Sequence, residues 1–140
     1  MAVTGWLADT SALIRLHSSP HTDEWVLRCH HGLVHISTVT RLEVGFSARS
    51  ADDHRRSLQQ VPIADMPVAY LRPAMEDRAV EVQLLLAERG HHRAPSVADL
   101  LLAATAEFEG LTILHVDKDF ELIAEVTDQP VQRLAIEPPQ

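Results

Sequence analysis

Residues 5–16 read GWLADTSALIRL, and this stretch decides the fold. Gly5 to Asp9 is a short, mostly apolar run with the character of a strand. From Thr10 to Leu16 the period changes, and Ala12, Leu13 and Leu16 recur at helical spacing. A strand that passes directly into a helix through an aspartate is the start of a βα unit, and the rest of the chain repeats that alternation.

Pro20 ends the first helix. Thr22 to His31 reads as a second helix, capped by Thr22 and stopped at Gly32. Val34 to Ser37 is a strand. Thr38 to Arg49 places Val39, Leu42 and Phe46 on one apolar helical stripe, with Thr40, Glu43 and Ser47 beside it. Ala51 to Gln60 is polar and reads as a solvated helix, and Val61 to Val68, with its two prolines, reads as a short edge strand. The long helix Pro73 to Gly90 opens on a proline and closes on a glycine, with Ala79, Val82 and Leu86 on its buried stripe. After the loop from His91 to Pro95 come a helix from Ser96 to Glu109, a buried strand from Leu111 to Val116, a helix from Asp117 to Val126 and a last strand from Val131 to Ile136. Strands alternating with helices predict an α/β/α sandwich around a mostly parallel sheet, with the ligand site beyond the carboxyl ends of its strands.

At 140 residues and 46% hydrophobic composition, residues 1–140 are expected to form one domain. No basic leader precedes the first apolar run, and the longest uninterrupted apolar stretch, Leu100 to Ala104, is far below the roughly 18 residues of a membrane span. A cytoplasmic location is expected. Cys29, the single cysteine, excludes an intrachain disulfide and reads as a buried thiol. The net charge of −8 opposes general nucleic-acid binding, because phosphate affinity comes mainly from lysine and arginine. That objection weakens where clustered carboxylates hold divalent cations and reverse the local field.

Four acids sit at the strand-to-helix junctions that this reading places at one sheet edge: Asp9, Glu43, Asp99 and Asp117. Each alone has a capping explanation. Asp9 and Asp117 suit N-caps, and Thr40-x-x-Glu43 and Ser96-x-x-Asp99 match the capping-box pattern. Capping, however, requires no convergence on one edge. Hard divalent cations prefer oxygen ligands, so such a set needs no histidine.

The segment Asp9-Thr10-Ser11-Ala12-Leu13 resembles the opening motif of PIN-domain nucleases, particularly VapC-type toxins of bacterial toxin-antitoxin pairs. Thr40-Arg41-Leu42-Glu43-Val44 resembles the second acidic motif of that family. Ala98-Asp99 with Ala103-Ala104 resembles the third, and His115-Val116-Asp117-Lys118-Asp119-Phe120 the fourth. The fourth departs from the family pattern in carrying His115-Val116 where a small hydroxyl or amide is more usual. The resemblance implies a PIN-like fold and an endoribonuclease that hydrolyses structured RNA at few sites, leaving 3′-hydroxyl and 5′-phosphate ends. It implies Mg²⁺, with Mn²⁺ able to substitute, held by Asp9, Glu43, Asp99 and Asp117. It also implies a VapB-like antitoxin, and the apolar segments Trp25 to Leu27 and Leu84 to Leu86 offer surface for a homodimer or a groove for an antitoxin helix. Ser11 is a candidate to orient a ligand or phosphate, and Asp119 either touches metal or caps the last helix. His115 reads as packed rather than catalytic.

Other chemistries fit less well. The histidine pairs His30-His31 and His91-His92 lack an HExxH or CxxC companion, and no GxGxxG, P-loop or GxSxG motif occurs. A haloacid-dehalogenase-like phosphatase would need an acid two residues after Asp9, where Ser11 stands. A non-catalytic acidic interaction domain is the remaining rival. Arg15, Arg41, Arg49, Arg55, Arg56, Arg89 and Arg93 are candidates for RNA contact by charge alone.

Overall fold

The computed structural model describes residues 5–136. Expectations about the segment before Gly5 and the proline-rich end after Ile136 lie outside those residues. The strands β1 (Trp6–Ala8), β2 (Val34–Ser37), β3 (Val68–Ala69), β4 (Thr112–His115) and β5 (Val131–Arg133) form one sheet in the order β3-β2-β1-β4-β5. All four pairings are parallel.

Parallel neighbours cannot be joined by hairpins, so each crossover carries helix. The crossover from β1 to β2 holds α1 (Thr10–Leu13) and α2 (Thr22–His30), and that from β2 to β3 holds α3 (Thr38–Phe46) and α4 (Ala51–Gln59). Between β3 and β4 run α5 (Pro73–Glu88) and α6 (Val97–Glu109), and between β4 and β5 runs α7 (Asp119–Thr127). The chain lays β1, β2 and β3 outward in one direction and then returns to place β4 on the other side of β1. The order therefore reverses between β1 and β4, and a crevice opens at the carboxyl ends of strands at such a switch point.

Successive residues of these short strands face opposite layers. Leu7 and Ile113 pack with Met75, Ala79, Val82 and Leu86 of α5, with Leu102 and Ala106 of α6, and with Phe120 and Ile123 of α7. Ala8 and Leu114, one step along, pack with Ala12, Leu16, Trp25 and Cys29 on the other side. This is the three-layer sandwich the alternation predicts. Cys29 is buried as expected, and burial raises its thiol pKa to about 11. No described helix is long and apolar enough to cross a membrane.

Several local expectations are corrected. Thr22 does not cap α2: His21 holds the N-cap position, and the Thr22 hydroxyl donates back to the carbonyls of Leu16 and Ser19. The two-proline segment forms a short 3-10 turn at Ile63–Asp65, and pairing is confined to Val68–Ala69. The helix after β2 starts one turn before the expected capping box, with Ser37 as its cap accepting from Thr40 N at 3.0 Å. Thr40 is therefore buried inside the first turn, and Glu43 is released from any capping role. The apolar stripe of α3 is largely uncovered. Leu42 and Phe46 are 69% and 91% exposed, which leaves them available at the surface beside Glu43.

Candidate active site

β1 and β4, the two strands flanking the switch point, deliver Asp9 and Asp117 just beyond their carboxyl ends. Glu43 comes from the second turn of α3, and Asp99 from the first turn of α6. Asp9, Glu43, Asp99 and Asp117 line one cavity of about 260 Å³, together with Thr10, Ser11, Ile14, Arg15, Ala98 and Leu102. Four segments separated along the chain thus meet at one place.

Capping and convergence turn out to be compatible. Asp9 is the N-cap of α1, its Oδ1 accepting from Ala12 N at 2.9 Å, and both of its oxygens lie 2.8 Å from the Ser11 hydroxyl. Ser11 Oγ in turn accepts from Val116 N at 3.1 Å, tying the start of α1 to the loop after β4. Asp99 completes a full capping box with Ser96, each side chain accepting from the other's backbone N–H at 3.0 Å. Asp117 accepts from Asp119 N at 2.9 Å through Oδ1. Glu43, with no cap to make, accepts from the Thr10 hydroxyl at 2.7 Å through Oε1. Two caps, at Asp9 and Asp99, and two other hydrogen bonds, at Asp117 and Glu43, hold the carboxylates at the crevice; the expected N-cap role of Asp117 passes to Lys118.

The electrostatics are strained in one direction. Burial of Asp9, which is 6% exposed, raises its pKa to about 6 despite the hydrogen bonds from Ala12 and Ser11, and the charge on Asp99 adds to the rise. Asp99 is raised by burial and by the charges on Asp117 and Glu43. Asp119 is raised by partial burial and by Asp117 and Asp99. For all three the net shift is toward protonation, Lys118 offsetting only part of it at Asp119, a condition that a bound cation would relieve.

Asp119 lies closer to the others than its sequence position suggests. It does not cap α7: the N-cap position is Lys118, which makes no side-chain cap bond. One carboxylate oxygen each from Asp99, Asp117 and Asp119 lie within 4.8 Å of one another. Opposite ligands of a Mg²⁺ ion are about 4 Å apart, so this all-oxygen set suits a hard divalent cation after small side-chain adjustment. Asp9 and Glu43 lie outside that tight group and border the same cavity.

His115 is fully buried against Phe120, and its Nδ1 accepts from Asp117 N at 3.2 Å. Burial, then the nearby Arg133, lowers its pKa, so the ring is a neutral prop under the Asp117 backbone. The sequence reading of a packed histidine holds at this position. It did not identify Thr10 as the partner of Glu43, although adjacency to Asp9 in the opening motif was a signal. Nor did it separate Arg15 from the other arginines, because charge alone does not report which cation lies beside the acids.

A family model described as the PIN domain matches residues 7–126. A relative, the ribonuclease VapC2 of Mycobacterium tuberculosis, is 59% identical over 134 residues, covering 96% of this chain and 95% of its own. The ribonuclease VapC21 of the same species is 36% identical over 138 residues, covering 92% of this chain and 93% of its own. Among solved structures, VapBC2 from Rickettsia felis bound to a DNA fragment from its promoter superposes with a TM-score of 0.74 at 13% identity, covering 91% of this chain and 97% of the matched one. DNA-bound VapBC from Salmonella typhimurium gives 0.72 at 16% identity, with 94% and 98% covered. At these identities the structural likeness speaks to the fold.

Proposed function

This chain belongs to the PIN-domain family, among the VapC ribonucleases, and from that premise we propose that it is the toxin of a toxin-antitoxin pair, an Mg²⁺- or Mn²⁺-dependent endoribonuclease acting in the cytoplasm on structured RNA at few sites. The observation that carries the proposal is the convergence of Asp9, Glu43, Asp99 and Asp117 on one crevice at the switch point of the sheet.

In this reading, Asp99 and Asp117, with Asp119 beside them, hold the cation, and Asp9 completes the anionic wall. What a divalent cation supplies when bound is positive charge against the phosphoryl oxygens and a lowered pKa for water at the site. Ser11 keeps Asp9 and the loop after β4 in register, so the acids from the two central strands stay aligned. The Thr10 hydroxyl fixes Glu43 through Oε1, and Oε2 receives the proton from the attacking water. Water oxygen joins phosphorus, the P–O3′ bond breaks with its electron pair going to the 3′-oxygen, that oxygen takes a proton from solvent, and Glu43 returns its proton to solvent. The products are 5′-phosphate and 3′-hydroxyl ends.

The partner is an antitoxin of the VapB type, encoded nearby, that directs an arginine into the acidic crevice. The solved neighbours that are VapBC complexes support a VapB-type partner. Exposed apolar side chains on three helices, Leu42 and Phe46 of α3, Val80 and Leu84 of α5 and Val97 of α6, support protein contacts, including a homodimer.

The test is to sequence newly formed 5′-phosphorylated RNA ends after brief induction in cells. Recurrent ends at a few positions are expected from the wild type and a reduction of at least about 100-fold from Asp99→Asn, which keeps side-chain shape but loses the charge. Co-expression of the antitoxin should suppress the same ends. Normal cleavage by folded Asp99→Asn would overturn the assignment.

A further inference from the structure

Among the described residues, Arg15 is the one cation in the lining of the acidic crevice. It follows α1 directly, and its Nη1 donates to the Ser11 carbonyl at 3.1 Å, the residue whose hydroxyl contacts Asp9. The other arginines sort into two groups. Arg28, Arg55, Arg72, Arg78, Arg89 and Arg133 each lie against a carboxylate. Among the described residues, Arg15, Arg41, Arg49, Arg56 and Arg93 have no ion-pair partner, and of these Arg15 alone borders the crevice.

An unpaired guanidinium beside four carboxylates is an unusual placement. Arg15 is exposed and held by one neutral carbonyl, so its remaining N–H donors and its full charge are open to an incoming anion. RNA entering this crevice meets a wall of negative charge. The cation held by the acids serves the phosphate being cleaved, and a phosphate flanking it needs positive charge of its own. A planar fork that takes two phosphoryl oxygens supplies both charge and direction.

We propose that Arg15 is the phosphate clamp of the crevice, binding the backbone phosphate next to the one hydrolysed and fixing the register of the strand over the acids. The proposal rests on the ribonuclease reading above and names a substrate contact for it. Arg55, already neutralised by Asp52, serves as the control.

The experiment compares cleavage of end-labelled bulk bacterial transfer RNA by the wild type, Arg15→Gln, Arg15→Lys and Arg55→Gln, across a salt series at saturating Mg²⁺. For Arg15→Gln, KM should rise about tenfold, the low end for an exposed charge-assisted contact, with kcat within about threefold of wild type. The slope of log(kcat/KM) against log salt should become shallower by about 0.7, the loss of one single-strand phosphate contact. Arg15→Lys should restore the slope and part of KM, and Arg55→Gln should match the wild type. The apparent Mg²⁺ affinity should stay constant, since a distorted metal site would move it and a lost phosphate contact would not. A loss confined to kcat, an unchanged salt slope, or an equal effect from Arg55→Gln overturns the clamp and leaves the nuclease reading standing. No cleavage by the wild type of this or any cellular RNA overturns the nuclease reading and the clamp with it.

Discussion

Asp9 meets two opposing demands. Its position at the end of a central strand makes it a cap and sets it in the wall of the crevice, while its burial makes its charge costly. With the pKa raised from 3.8 to about 6, the folded protein holds the Asp9 proton more tightly than the unfolded chain does. The penalty is therefore fully present above pH 6, shrinks as pH falls, and vanishes below 3.8; at neutral pH its ceiling is about 3 kcal/mol. Asp9→Asn keeps an acceptor for Ala12 N and removes the charge. Melting in chelator should show this variant several degrees more stable than wild type at pH 7.5, the two converging near pH 4, with cleavage lost throughout. A wild type more stable at pH 7.5 would contradict the assigned cost. His115 acts in the opposite sense. Its depressed pKa gives stability that is full above about 6.5 and is lost as pH falls further, which is why the Asp9 effect is read as a difference between variants. The convergence of the four acids on one cavity was legible from their junction positions. The roles of Thr10 and Arg15 were not, because they depend on which side chains from distant segments become neighbours.

At the scale of elements, the long and strongly periodic segments were read closely: α5 buries Ala79, Val82 and Leu86 as its spacing predicts, and β2 spans Val34–Ser37 as expected. Errors fell where two signals compete locally. Ser37 and Thr40 are both good caps three residues apart, and the strand ending at Ser37 decided between them by starting α3 immediately. The stripe on α3 was legible as an apolar face, but periodicity does not say what covers such a face, and Leu42 and Phe46 are exposed. Glycine positions carry a similar ambiguity, which the geometry resolves. Gly5 has φ +120°, and a Cβ there would lie 2.4 Å from the Leu33 carbonyl oxygen, a backbone atom at the start of the β1–β2 pairing. Gly90, at φ +75°, meets nothing within 4 Å. Gly5→Ala should therefore cost several kcal/mol through strain and loss of pairing at the central strand, whereas Gly90→Ala should cost about 1 kcal/mol. Urea unfolding midpoints test the order, and equal losses at the two sites would show that the clash at Gly5 is relieved without cost.

For the whole molecule, a net charge of −8 is compatible with an RNA substrate only where the fold gathers acids to recruit cations. The crevice gathers acids at a cost, since the carboxylates of Asp9, Asp99 and Asp119 are all pushed toward protonation. A ligand that binds only the folded state stabilises it by mass action, about 2.7 kcal/mol at a hundred times its Kd. For a domain of this size that corresponds to a rise in Tm of roughly 5–10 °C. Melting in Mn²⁺ should thus exceed melting in chelator at matched ionic strength by that amount, and the difference should collapse in Asp99→Asn while persisting in Arg55→Gln. Because the cation displaces protons held by the acids, calorimetry in buffers of different ionisation enthalpy should find more protons released on Mn²⁺ binding near pH 6, where Asp9 is about half protonated, than at pH 8. Identical melting curves with and without Mn²⁺ would mean that the crevice does not hold a divalent cation in solution. A shift that survives in Asp99→Asn would place the cation elsewhere on the acidic surface. A shift that depends on Asp99 but releases no protons near pH 6 would leave the cation in place and mean that Asp9 stays ionised without it.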